Sequence, residues 1–156
     1  MKKVIAALSG AACGLLIATA SMADDVADIT STMEEHFATF NTGDAAGHVA
    51  HHMAGHSAYG PEGGALTVDD SLEEETAALQ ADFDEGLKFD YELVDLDVAV
   101  YGDAAVVTSF QAGTVTLPDG TSEEIVNRRT AVVVRDGDEW KEVHSHISEY
   151  VEESTD

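Results

Sequence analysis

The chain has 156 residues, with 31 Asp and Glu against seven Lys and Arg, and a formal net charge of −24. A field that negative repels phosphate backbones and anionic lipid surfaces, which excludes nucleic acid and membrane surfaces as natural partners. Apolar residues make up 44% of the sequence, an ordinary share, so the acidity belongs to a folded globule and not to a disordered tail.

The chain opens Met1-Lys2-Lys3, continues as an apolar run from Val4 to Ala20, and then reads Ser21-Met22-Ala23. A basic start, an apolar stretch and a small-x-small site in that order predict a signal peptide over residues 1–23, cleaved after Ala23. Ser9, Gly10 and Gly14 interrupt the apolar run, leaving it short and weak for a membrane anchor. A periplasmic or secreted location follows as an expectation. Cys13 is the one cysteine and lies within this segment, so the remaining domain is expected to rely on packing and not on a disulfide. Loss of Lys2 and Lys3 takes the net charge to −26. Residues 24–150 are read as one domain and residues 151–156 as a polar tail.

Three helices are expected first. Val26, Ile29, Met33, Phe37 and Phe40 recur at three- and four-residue spacing and form one apolar stripe, closed at Asn41-Thr42-Gly43. Asp44 can cap a second, short helix, with Gly55 as its stop. Glycines and Pro61 make Tyr59–Gly64 a loop. Ser71-Leu72-Glu73-Glu74 reads as a capping box opening a third helix that buries Leu72, Leu79 and Phe83 and ends at Gly86.

Everything beyond Gly86 reads as strand. Phe89, Tyr91 and Leu93 alternate with acids, and then the phase flips to Leu96, Val98 and Val100. A two-residue period that changes parity is the mark of a β-bulge, which bends a sheet. Short turns at Tyr101-Gly102-Asp103, Pro118-Asp119-Gly120 and Asp136-Gly137-Asp138 separate long alternating runs and predict an antiparallel meander. The fold class is α+β: three N-terminal helices packed into a strongly curved antiparallel sheet, forming a cone with a cavity at its mouth.

Thr121-Ser122-Glu123-Glu124, Arg135-Asp136-Gly137, Trp140 and Val143-His144-Ser145-His146-Ile147-Ser148 resemble the nuclear transport factor 2-like (NTF2-like) superfamily, which has a cystatin-like fold. The likeness is greatest to its SnoaL-like group and to the association domain of calcium/calmodulin-dependent kinase II. The resemblance implies a cone-shaped domain that is either an isomerase, cyclase or dehydratase, or a non-catalytic binding or association module. Two departures are visible. The first helix has no tyrosine, which the isomerase pattern places there, and Ile147 stands where the kinase association domain has an arginine.

The candidate chemistry is histidine chemistry. His144 and His146 are two apart on the last strand and share a face, which by alternation also carries Trp140, Glu142 and Ser148. They are the candidate proton shuttles of an enzyme, with inert packing and a shared metal as alternatives. His48, His51, His52 and His56 crowd the second helix and its exit. His48 and His52, one turn apart, have a spacing that suits a divalent metal, although no HExxH pattern is present. His52, His56 and Tyr59 are read as ligand contacts at the cone's mouth. Arg128 and Arg129 point to opposite faces of their strand, and Arg129 is taken as the candidate clamp for a ligand's carboxylate, with surface pairing to the protein's own carboxylates as the alternative. No cofactor and no metal ligand is assigned. The expected partners are a small-molecule ligand and a second copy of the chain, joined through a convex face with Val132, Val134, Val143 and Ile147 as candidates.

Overall fold

A computed structural model describes residues 14–61, 63–69 and 71–151. Residues 1–13 of the segment expected to be a signal peptide, and residues 152–156 of the expected tail 151–156, lie outside the described residues. Helix α1 runs Gly14–Asn41, α2 Ala45–Val49 and α3 Leu72–Asp84. The strands are β1 His52–Tyr59, β2 Thr67–Asp69, β3 Lys88–Val100, β4 Ala104–Thr116, β5 Ser122–Asp136 and β6 Glu139–Glu149. They form one sheet in the order β2-β1-β6-β5-β4-β3. No helix among the described residues is long and apolar enough to cross a membrane.

The helix boundaries follow the capping chemistry. The Asp44 side chain accepts from the Gly47 amide and opens α2, and the Ser71 hydroxyl accepts from the Glu74 amide and opens α3. At the end of α1, the Asn41 side chain donates to the Tyr91 carbonyl at 2.7 Å and accepts from the Tyr91 amide at 2.9 Å, tying the helix to β3. Helix α3 departs from expectation: none of its residues is buried, and Leu72, Leu79 and Phe83 are only partly covered.

Strands β3 to β6 form the antiparallel meander. The phase flip in β3 appears as a register shift between Val94 and Asp97, with Asp95 at φ 52°. The flip keeps Leu96, Val98 and Val100 against the core after Leu93. Two strands were not legible. His52 does not continue the second helix; it begins β1, which runs parallel to β6 and antiparallel to β2. Gly55 therefore does not stop α2. It sits inside β1 at φ 83°, in the irregular stretch between the His52 and Ser57 pairings.

The concave face of the sheet changes character along its strands. At one end Ala105, Val107, Ala131, Val133 and Trp140 close over Ile29 and Met33 of α1. Towards the other end the same inward positions become Ser109 and Gln111, then Arg129 and Asn127, then Glu142 and Ser145, all buried. The dry half is the core, and the polar half can hold its shape only if those groups find partners.

The close approach of β4 to β3 depends on Gly113. Its φ is 147°, and a Cβ there would lie 1.9 Å from the Asp90 carbonyl oxygen of β3. Gly113→Ala should therefore cost about 2–4 kcal/mol of stability through overpacking and backbone strain. Urea unfolding measures this directly, and an unchanged midpoint would mean that β3 and β4 separate at no cost.

Candidate functional site

The polar half of the concave face encloses a cavity of 270 Å³. Phe37 and Phe40 of α1, Phe89 and Tyr91 of β3, and Ile147 of β6 supply its apolar wall. Gln111, Asn127, Arg129, Glu142, Ser145 and four histidines, His36, His48, His52 and His56, supply the polar wall. A larger hollow of 660 Å³ between the end of α1, α3 and the β3–β4 edge is lined by no histidine or arginine. The chemistry converges on the smaller one.

At its centre the Arg129 guanidinium donates to Glu142 Oε2, with both side chains almost wholly buried. Burial alone pushes the Glu142 carboxyl up. The Arg129 charge, a hydrogen bond from His56 and the nearby histidines overcome this and hold it well below the usual 4.5. The Arg129 guanidinium also lies over the Phe37 ring, 5.2 Å from its centroid. His56 Nε2 is 3.3 Å from Glu142 Oε1.

The histidines stand in a chain. His36 Nε2 is 3.1 Å from His48 Nε2 and 3.0 Å from His52 Nε2. His52 Nδ1 is 2.6 Å from Glu75 Oε1, and the His52 and His56 rings stack at 4.0 Å. Burial first, then the adjacent His48, push His36 well below the ordinary 6.5. Burial and the adjacent His52 take His48 down to about 3. Both rings are therefore neutral near pH 7. The Tyr91 hydroxyl, hydrogen-bonded to the Gln111 side chain, is pushed up to about 12 by burial and stays protonated.

Of the residues singled out in the sequence, His52, His56 and Arg129 line this cavity. His48 and His52 do converge, but across the α2–β1 junction instead of along a helix face. His144 and His146 do not share a face with Trp140 and Glu142. The pairing of β6 with β5 slips between His144↔Val132 and Glu142↔Val133, leaving Val143 as an extra residue. That bulge reverses parity, so Trp140, Glu142, Ser145 and Ile147 turn inward while His144 and His146 turn to the other side of the sheet. There His144 Nδ1 pairs with the Ser57 hydroxyl at 2.9 Å, and Tyr59 lies against both rings. Ile147 is thus in the cavity wall and not on the convex face.

His36, Glu75 and Glu142 were not singled out as site residues. His36 sits three positions after Met33, within the span of the buried stripe on α1, and a histidine there is the signal that was available. Glu75 reads as an ordinary first-turn acid of α3, and only its contact with His52 gives it away.

A model of the SnoaL-like domain matches residues 29–152. No curated protein matches the chain. Among solved structures, a ketosteroid isomerase-like protein from Erwinia carotovora atroseptica is 21% identical with a TM-score of 0.67, over 82% of this chain and 98% of that one. An NTF2-like protein of unknown function in nutrient uptake from Rhodospirillum rubrum is 23% identical with a TM-score of 0.66, over 80% and 99%. An NTF2-like protein with a cystatin-like fold from Novosphingobium aromaticivorans is 16% identical with a TM-score of 0.70, over 92% and 93%. At these identities the likeness is one of fold, and it agrees with the NTF2-like resemblance carried by the C-terminal residues.

The buried ionisable groups set the acid response. Below pH 6.5, His36 and His48 gain protons in the unfolded chain but not in the folded one, so each removes about 1.4 kcal/mol of stability per pH unit. Glu142 acts in the same direction: its contribution is present above 4.5 and is lost as pH falls through its lower folded value. Chelator-treated protein should show a urea midpoint that falls steadily from pH 7 to pH 4, with a shallower fall in His48→Gln. A midpoint flat between pH 7 and pH 5 would contradict the neutral, buried histidines.

Proposed function

This chain belongs to the family of SnoaL-like domains, and from that premise we propose that it binds a small organic molecule in the histidine-lined cavity and moves a proton on it. The observation that carries the reading is a set of buried polar atoms without protein partners in an otherwise aromatic cavity wall. Gln111 Oε1 and His56 Nδ1 are both in this state. Each costs about 1–3 kcal/mol when left unsatisfied, and a ligand with a polar head recovers that cost. A volume of 270 Å³ is just below the range typical of drug-sized ligands, so the ligand is about one ring in size.

Proton bookkeeping assigns the roles. The Glu142 carboxylate only accepts, so His56 carries its proton on Nε2 and presents a bare Nδ1. That nitrogen takes the ligand's proton. Glu142 holds the ring in this tautomer, and Asp69 Oδ2 and Glu75 Oε1, each 3.9 Å from Nδ1, stabilise the imidazolium that results. Arg129 keeps Glu142 ionised, and Gln111 and Asn127 orient the ligand's polar group. His144 and His146, candidate proton shuttles by sequence, are given no part in this reading because they stand outside the cavity.

A second reading, association, has its own observation. The outward positions Val106, Phe110, Val132 and Val134 form a partly covered apolar surface on the convex side of β4 and β5. Such a surface supports a symmetric homodimer. Light scattering should then give twice the chain mass, and the chain mass alone at high protein concentration would refute it. The two readings are compatible, since the surfaces lie on opposite faces.

The ligand reading is tested by thermal shift with a panel of one-ring ketones, phenols and carboxylates on chelator-treated protein. A compound at a hundred times its dissociation constant stabilises by about 2.7 kcal/mol. That stabilisation should shrink in Asn127→Leu and persist in His146→Gln. Any turnover of such a compound should fall about 10²- to 10⁴-fold in His56→Gln. The proposal fails if no compound raises the melting temperature, or if Asn127→Leu responds as wild type does.

A further inference from the structure

We propose that His36, His48 and His52 hold one divalent transition-metal ion of the zinc type through their Nε2 atoms, in the wall of the cavity. This deepens the reading above by adding an inorganic group to the same site, but it rests on the geometry of three side chains and not on any organic ligand.

The spacing comes first. His36 Nε2 stands 3.1 Å from one partner nitrogen and 3.0 Å from the other, and ligand atoms of all three residues fall within 4.8 Å of one another. Zinc–nitrogen bonds of about 2.0–2.1 Å in tetrahedral geometry place neighbouring ligands about 3.3 Å apart. His36 thus stands from each of the other two imidazoles at close to the separation an ion imposes.

Proton positions make the case stronger. His48 Nδ1 lies 3.2 Å from the His36 carbonyl oxygen, which can only accept, so His48 carries its proton there and its Nε2 is bare. His52 Nδ1 faces the Glu75 carboxylate at 2.6 Å, so its Nε2 is bare as well. Both bare nitrogens lie close to His36 Nε2, and the His48 ring stacks on that of His36 with centroids 3.9 Å apart. If His36 has its proton on Nε2, one hydrogen must serve two acceptors. His36 Nδ1 is then a bare buried nitrogen without a partner, 3.8 Å from the Glu142 carboxylate. If the proton is on Nδ1, on the Glu142 side, three lone pairs crowd together with no proton among them. A cation among them resolves the second arrangement: a modest turn of the stacked His36 and His48 rings brings every Nε2 to the ion, while the Nδ1–H groups of His48 and His52 keep their oxygen acceptors.

The surroundings match a metal site. Metal-bound histidines characteristically donate their second N–H to a carboxylate or a backbone carbonyl, and here the Glu75 carboxylate and the His36 carbonyl stand in those places for His52 and His48, with Glu142 3.8 Å from His36 Nδ1. An all-imidazole set selects zinc, cobalt, nickel or copper over magnesium and calcium. Among the described residues no fourth histidine or acid joins this trio, which leaves one position of a four-coordinate ion for water or a ligand group. Two other groupings are close enough to be considered, His52 with His56 and Glu142, and His56 with Asp69 and Glu75. In the first, Arg129 already neutralises Glu142, and in the second, Glu75 is engaged with His52.

The experiment is titration of the chelator-treated full chain with Zn²⁺ alone by calorimetry, repeated with Co²⁺ to read coordination from its visible absorption. The expected result is one ion per chain, a Co²⁺ spectrum typical of four-coordinate sites and a raised melting temperature. Glu75→Gln should weaken affinity about 10- to 100-fold. His48→Gln and His52→Gln, checked for fold by circular dichroism, should each weaken it further still. His144→Gln combined with His146→Gln should bind as wild type does. Absence of stoichiometric binding by folded wild type overturns the inference, as does tight binding that survives in both His48→Gln and His52→Gln. Because the ligand panel is run without metal, loss of metal binding with ligand binding intact sinks only this proposal. Metal binding without any organic ligand sinks only the other.

Discussion

The ion pair between Arg129 and Glu142 is the interaction around which the polar half of this domain is organised. Taking two charges out of water costs several kcal/mol per ion, and a buried pair is seldom the most stable choice for its volume. Here the pair spans β5 and β6 at the place where the concave face stops being apolar. Its acid contacts His56 and lies near His36, while its base lies over Phe37 and reaches Met33. Removing either charge would leave the other stranded among neutral rings, so the polar residues around it are fixed by one another.

The division of the cone into a dry half and a polar half explains how one small domain can combine a packed core with a cluster of buried polar groups. Ile29 and Met33 anchor α1 on the apolar end of the sheet, and one turn further along the same helix delivers His36 to the polar end. The rigid packing of the first contact therefore sets the position of the second. Loops contribute little: His36, His52, His56, Arg129 and Glu142 stand on a helix or on strands, and His48 on α2. Such placement favours fixed geometry over induced fit.

Much of the fold was legible because its signals are local. The stripe on α1 from Ile29 to Phe40, the two capping side chains, the tight turns and the parity change in β3 each rest on local spacing and appear where the sequence places them; Val26, at the head of the stripe, is exposed instead. What escaped depends on distant partners. β1 is interrupted by Gly55 and pairs parallel to a strand that begins about 90 residues later, so its alternation is broken and its hydrogen bonds are non-local. The bulge at Val143 has no parity signal of its own, because Val143, His144 and Ser145 can stand on either face. One unpaired residue was enough to send His144 and His146 away from Glu142. The site was therefore half visible: His52, His56 and Arg129 were named for their chemistry, whereas His36 and Glu75 acquire meaning only through contacts made across the cone.

The irregularity in β3 has a bearing on how such a chain survives at high concentration. With its 13 residues β3 is the last strand of the sheet, its outer side open to another molecule. A long, flat, apolar border of that kind recruits further strands and seeds aggregates. This border is neither flat nor apolar. It twists at Asp95, it carries exposed Asp90, Glu92 and Asp97, and at Tyr91 its backbone groups are already occupied by Asn41. Part of the acidity that at first reads as bulk charge is thus placed where it keeps identical chains from zipping together.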